Sequence, residues 1–321
     1  MRYVVTGGAG FVGSHLVDAL ITAGHEVVVV DNLHTGSWHN VSDLEDYCNF
    51  TFVEADVAGE IDIPGPVDRI YHLACPASPP HYQEDMVKTL LTSTHGTYNM
   101  LKLAKEKNAR LLFTSTSEIY GDPLVHPQPE SYWGNVNTLG PRSCYDEGKR
   151  CAEAYCYSFA NQQKLQVRIA RIFNTFGPRM NPEDGRVVSN FILAALRGEP
   201  LKIYGDGTQT RSFMYVDDLV RGLMLLMESD ESMNCVPVNI GNPVEYTIRG
   251  WAETVIDEVN KFKGVDEDTA IECIEASVDD PKQRKPDISR AFEKLGWKPE
   301  VDVLDGVRKT IKYFSICLEV D

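Results

Sequence analysis

Nothing in these 321 residues approaches the ~20 consecutive apolar positions that a bilayer-spanning helix requires. The apolar start runs directly into a glycine-rich turn, with neither a basic leader nor a cleavage site, so no export signal and no membrane partner are expected. Positive charge is the minority sign. Lys plus Arg number 31 against 47 Asp plus Glu, a formal charge of −16, and such a chain repels nucleic acid in the mean field. An anionic small ligand would therefore need a local cluster of arginines. The eight cysteines contain no C-x-x-C pair and no Cys/His zinc spacing. All eight histidines lie at or before His126, without ligand spacing, and no metal site is expected. The thiols read as reduced cysteines of a cytoplasmic protein. With 43% hydrophobic and 24% charged residues and no repeat or low-complexity stretch, the composition is that of an ordinary soluble globular chain.

What is present is an alternation of short β-branched runs and amphipathic stretches. Apolar runs at 3–6, 26–30, 50–54, 69–73, 111–115 and 166–171 are separated by helical patterns at 11–23, 89–107 and from about Tyr145 onward. Continuous apolar strands divided by helices predict an α/β fold, a Rossmann-type doubly wound parallel sheet buried on both faces. From about Phe173 the texture becomes turn-rich, which predicts a smaller C-terminal substrate-binding lobe. The expected division is 1–172 for the nucleotide-binding domain and 173–321 mainly for the lobe, with segments near 212–242 returning to the first domain.

Thr6-Gly7-Gly8-Ala9-Gly10-Phe11-Val12-Gly13 lies between the first strand and the first helix. Gly7, Gly10 and Gly13 permit a tight turn and close approach of a pyrophosphate, and the helix start offers free N–H groups to it. Asp31, at an exposed end of the next strand, is placed to accept the ribose hydroxyls and to repel a 2′-phosphate, which favours NAD over NADP. Asp31→Ala is accordingly expected to weaken NAD binding without disturbing the fold.

Tyr145 and Lys149, four positions apart, share one helix face. An ammonium beside a phenol is expected to lower its pKa and make it a general base for an alcohol. Upstream, Thr114-Ser115-Thr116-Ser117-Glu118 puts hydroxyls and a carboxylate at the carboxyl end of an apolar strand, where doubly wound sheets bind ligands.

This combination resembles the extended short-chain dehydrogenases along essentially the whole chain. Within them, the strings His72 to Pro80, Thr114 to Asp122, Tyr132-Trp133-Gly134, Gly140 to Arg150, Ala170 to Met180, Asp184 to Phe191, Gln209 to Phe213 and Arg284-Lys285-Pro286-Asp287 are similar to those of UDP-glucuronate decarboxylases. The resemblance implies C4 oxidation of UDP-glucuronate, loss of CO2 and re-reduction on a retained NAD. It implies catalytic roles for Thr116, Glu118, Tyr145, Lys149 and Arg284. Cofactor contacts would come from Gly7, Gly10, Phe11, Val12, Gly13, Asp31, Asn32, Asp56, Val57, Leu73, Tyr145 and Lys149. Substrate contacts would come from Pro79, Tyr82, Ser117, Glu118, Asn174, Arg186, Tyr204, Arg211 and Arg284, with the Pro79–Tyr82 loop closing over the sugar. Ser117 stands where 4,6-dehydratases carry an acidic residue, which disfavours dehydration. A homodimer built on the helices at 89–107 and 145–162 is also implied. A UDP-sugar 4-epimerase and a catalytically silent NAD-binding scaffold remain the alternatives; Arg284 and Glu118 weigh against the first, and the intact Thr116, Tyr145 and Lys149 against the second.

Overall fold

A computed structural model describes residues 1–275 and 283–320 of the chain. In chain order, its first part is β1 (Arg2–Thr6), α1 (Phe11–Thr22), β2 (Glu26–Asp31), β3 (Phe50–Glu54), β4 (Arg69–His72), α2 (Pro79–Glu84), α3 (Met86–Leu91), α4 (Thr97–Lys107), β5 (Arg110–Thr116), α5 (Ser143–Gln163) and β6 (Val167–Ile172). The second part is β7 (Thr175–Phe176), α6 (Val187–Arg197), β8 (Leu201–Tyr204), β9 (Thr210–Ser212), β10 (Met214–Tyr215), α7 (Val216–Met227), β11 (Pro237–Ile240), β12 (Glu245–Thr247), α8 (Ile248–Lys263), β13 (Ile271–Ile274), α9 (Ser289–Leu295) and α10 (Val303–Val320).

Seven parallel strands form one sheet in the order β11-β6-β5-β4-β1-β2-β3. Valines fill β2 because both of its faces are covered, and positions 27 to 31 are all buried. The order reverses at β1, whose Thr6 pairs with Val30 of β2 on one side and His72 of β4 on the other. That switch point, at the carboxyl ends of the strands, opens the crevice in which such sheets bind ligands.

The helical pattern at 89–107 is not one helix. A π-helical stretch, Thr92–Gly96, joins α3 to α4. Gly96 sits where a Cβ would come within 2.7 Å of the Val57 side chain, so the widened turn packs against the turn that follows β3. Pro79–Tyr82, expected as a loop, opens α2 instead: prolines occupy its first turn, where a missing N–H costs nothing.

One apolar core, from Leu16 and Phe176 to Phe191, Leu223, Trp251 and Phe314, runs from the α1/α7 side of the sheet into the helices α6, α8 and α10. Trp251 is fully buried and stacks on Phe213 at 4.3 Å between centroids. Burial of each such ring stabilises by about 1.5–3 kcal/mol. A second core, including Phe113, Ala152 and Phe159, lies under α4 and α5. Among the described residues, no helix is long and apolar enough to cross a membrane.

Candidate active site

Two cavities that share Phe11, Val12, Leu73, Cys75 and Arg186 open above the carboxyl ends of the strands. The smaller, about 180 Å³, is lined by Gly7, Gly10, Phe11, Val12, Gly13, Asp31, Asn32, Asp56, Val57 and Leu73, all of them expected cofactor contacts. Gly7 has φ +70°, and a Cβ there would lie 2.8 Å from the Ala74 nitrogen; at Gly13 it would lie 2.0 Å from the Gly7 carbonyl oxygen. Only glycine fits this turn. The turn delivers the chain to α1, whose first-turn amides lack helical partners and whose first turn carries no acidic residue. A dinucleotide pyrophosphate suits these donors.

Asp31 is buried, not exposed. Its Oδ2 accepts from the Ala9 amide and its Oδ1 from the Leu33 amide, each at 2.9 Å, and burial raises its pKa. The carboxylate therefore pins the glycine turn to β2 and lines the smaller cavity. Asp31→Ala is expected to weaken NAD binding and also to lower the melting temperature, since two backbone donors lose a partner. Calorimetry with NAD and a thermal melt check both. An unchanged melt would leave the anchoring role unsupported. Asp56 is ion-paired with Lys88, a cation lining the same cavity that sequence reasoning missed.

The larger cavity, about 660 Å³, brings Thr116, Ser117, Glu118, Tyr145, Lys149 and Arg284 together with Pro79, Tyr82, Asn174, Arg186, Tyr204 and Arg211. Tyr145 and Lys149 come from α5, and Thr116 ends β5. Thr116 faces Tyr145 across the same wall of the cavity and draws its phenol pKa down, against the larger effect of burial. Lys149 donates to the Thr114 carbonyl at 2.9 Å and lies 5.8 Å from the centre of the Tyr145 ring. The expectation of a lowered phenol pKa is not met in the protein alone. Burial raises Tyr145 and lowers Lys149, and at this separation the ammonium does not offset the desolvation of the phenol. Tyr82 stacks on Tyr145, with rings 5.1 Å apart and 6° from parallel. Its hydroxyl is buried without a partner.

Glu118 is the centre of the charged cluster. Arg142 donates to its Oε2 at 2.5 Å, and Arg284 donates to its Oε1. Burial works against the carboxylate, but Arg284 and Arg142 outweigh it and hold Glu118 at about 2. Asp146, one residue past Tyr145, is pushed well above the usual carboxylate range by burial and by Glu118. Two guanidiniums converge on one carboxylate here, a fork geometry suited to anions. Arg284 also donates to the Gly121 carbonyl at 3.0 Å, while its Nε is buried and unpartnered. Arg142 and Asp146 were missed in the sequence, although both flank Tyr145 within one string.

The arginines elsewhere are dispersed. Arg186 pairs with Asp184 at the junction of the cavities, and Arg211, buried, faces the same space as Lys202 and Tyr204. Arg179, at the smaller cavity, pairs with Asp18, Lys285 pairs with Glu245, and Arg197 is exposed at the end of α6.

Residues 3–241 match the NAD dependent epimerase/dehydratase family. The chain is 55% identical to UDP-glucuronic acid decarboxylase 6 of Arabidopsis thaliana, over 100% of this chain and 90% of that protein. It is 54% identical to UDP-glucuronic acid decarboxylase 1 of Danio rerio, over 99% and 73%. Among solved structures, UDP-glucose 4-epimerase of Thermotoga maritima with UDP-glucose superposes with a TM-score of 0.88 at 31% identity, covering 99% of this chain and 100% of that one. UDP-glucuronic acid 4-epimerase of Bacillus cereus, with UDP-glucuronic acid and NAD, gives 0.86 at 27% over 99% and 100%. The chain belongs to the NAD dependent epimerase/dehydratase family and groups within it with the UDP-glucuronic acid decarboxylases.

Proposed function

We propose that this chain converts UDP-glucuronate to UDP-xylose and CO2 on a retained NAD. The observation that carries the reading is Glu118 held between Arg142 and Arg284 in the cavity that also contains Tyr145 and Thr116. The glycine turn, Asp31, Asn32, Asp56, Val57 and Leu73 would hold the cofactor, which when bound supplies a hydride acceptor and donor for C4. Tyr145, beside Thr116 in the cavity, takes the C4 hydroxyl proton and later returns it. Lys149, fixed by the Thr114 carbonyl, keeps a cation behind that phenol. The Arg142–Glu118–Arg284 cluster holds the sugar carboxylate while the C5–C6 bond breaks and its electrons move toward the C4 carbonyl. Asn174, Arg186, Tyr204 and Arg211 are assigned to the UDP moiety, and Pro79, Tyr82 and Ser117 to the sugar.

Ser117 supports decarboxylation over dehydration, since a serine hydroxyl is far too weak an acid to protonate a departing hydroxyl. Incubation with UDP-glucuronate and NAD, followed by chromatography and CO2 measurement, tests the reading. Equimolar UDP-xylose and CO2 are expected; a C4 epimer without CO2 would replace it with epimerisation.

The working unit is assigned as a homodimer in the cytoplasm, where eight free thiols are at home. Val87, Leu90, Leu91 and Tyr98 of the α3–α4 stretch and Tyr157 of α5 are exposed apolar residues, and an interface there would bury more than about 1,000 Å². Light scattering should return twice the chain mass; a concentration-independent monomer would refute the dimer.

A further inference from the structure

We infer that Gln128 is a positioning residue for decarboxylation, acting through Arg284. This deepens the proposed function and rests on it. Arg284 belongs to no helix or strand, so neighbouring segments must hold its backbone. Two segments do so. Residue 283 bridges to Thr210 beside Arg211 in the substrate lobe, and Pro286 bridges to Gln128 in the connection between β5 and α5. The residues from 283 to 286 thus span the lobe and the nucleotide-binding sheet, with Arg284 between the two attachments.

Gln128 is fully buried and is the denser attachment. Its amide donates to the Lys285 carbonyl at 2.9 Å, and its side-chain Oε1 accepts from the Lys285 amide at 2.8 Å. Both backbone polar groups of the residue following Arg284 are therefore held by one side chain and its own amide. The Gln128 carbonyl accepts from the Asp287 amide at 3.0 Å and from Asn239 Nδ2 at 2.9 Å, and its Nε2 donates to the Val125 carbonyl at 2.8 Å. Asn239 lies on β11, so the attachment reaches the sheet itself. Glu245 supplies the lobe-side counterpart by taking Thr210, His126 and Lys285 together.

The consequence is specific to one step. Oxidation at C4 needs Tyr145 and Thr116, and the hydrogen bonds of Gln128 go to Val125, His126, Asn239, Lys285 and Asp287 instead. Loss of CO2 needs the sugar carboxylate fixed with its breaking bond overlapping the carbonyl, and a displacement of about 1 Å at a positioning group is enough to cost about a hundredfold. A slack Arg284 segment should therefore let oxidation proceed and stall the loss of CO2.

Gln128→Leu keeps much of the volume while deleting the acceptor for Lys285 and the donor to Val125. With NAD and UDP-glucuronate it should release CO2 at least about tenfold more slowly than the parent, accumulate reduced nicotinamide, and bind UDP with the parent's affinity. In an Arg284→Ala background the same change should add no further loss, because a residue acting only through Arg284 has nothing left to act on. Gln128→Glu, which retains the acceptor for the Lys285 amide, should recover part of the CO2 rate; it carries the same cycle if the leucine variant does not fold. Parent-like CO2 release by the folded variant would overturn the assignment. So would parallel loss of UDP binding and nicotinamide reduction, or an undiminished effect without Arg284. A parent protein that makes no CO2 from UDP-glucuronate would instead remove the proposed function itself.

Discussion

Tyr145→Phe should bind UDP-glucuronate as the parent does and oxidise it about a thousandfold more slowly, the scale of a lost general base. Binding survives because the ring, not its oxygen, shapes this wall of the cavity: it lies parallel to Tyr82 and is buried with Cys144 beside it. Oxidation fails because Thr116 retains a hydroxyl but nothing to pass the C4 proton to. Transient nicotinamide absorbance after mixing with substrate measures the step directly. The parent should also show a rate that climbs with pH, since burial holds the phenol protonated to higher pH than usual and the base must be deprotonated to act. The phenylalanine variant should lack that limb. Undiminished nicotinamide reduction in Tyr145→Phe would mean that another group takes the proton.

Arg284→Ala should separate the steps in the opposite sense. Nicotinamide reduction should persist, UDP-glucuronate should bind more weakly, CO2 release should fall about a hundredfold, and UDP itself should bind unchanged. The guanidinium reaches Glu118 and Gly121, not the region of Arg211 and Tyr204 assigned to the nucleotide. A cation beside the carboxylate opposes its loss of charge, so its contribution is to orientation and to the later proton delivery at C5 more than to driving CO2 away. Equal losses for UDP and UDP-glucuronate would place Arg284 on the diphosphate, and full CO2 production would remove it from the reaction.

Stability should respond as well. Glu118 keeps one cation, Arg142, when Arg284 is cut back, and breaking a buried pair from one side costs about 3–5 kcal/mol. The sign of the acid dependence is set by the depressed carboxyl: at about 2 in the fold, against about 4.3 unfolded, Glu118 contributes stability above the unfolded value. That contribution is lost as pH falls from about 4 toward 2. Glu118→Gln should flatten this part of the acid-unfolding curve; an unchanged curve would show that the cluster is not what acid undoes.

Much of the site was legible because its geometry is local. The glycine turn between β1 and α1 shows in the positive φ of Gly7 and the closeness of Gly13 to the Gly7 carbonyl, and the shared face of Tyr145 and Lys149 in helical periodicity. Asp31 was misjudged because a strand end looks exposed until the glycine turn folds back and donates Ala9 N–H to it. Pro79–Tyr82 was read as a loop although Ser78 followed by two prolines is also a helix-start pattern. Arg142 and Asp146 stood beside Tyr145 in plain view, but nothing within the string marks which neighbours turn toward Glu118.

The sequence by itself determined the parallel sheet, the nucleotide turn and the pairing of tyrosine with lysine, because each rests on sterics or periodicity acting over a few residues. Only the tertiary structure decided the electrostatics. Glu118 and Arg284 meet across 166 positions of chain, Gln128 grips the backbone 157 positions away, and burial raises Tyr145 where spacing alone predicted the reverse. Burial and long-range pairing depend on which segments the fold packs around a group, and the residues next to it in sequence carry no record of that.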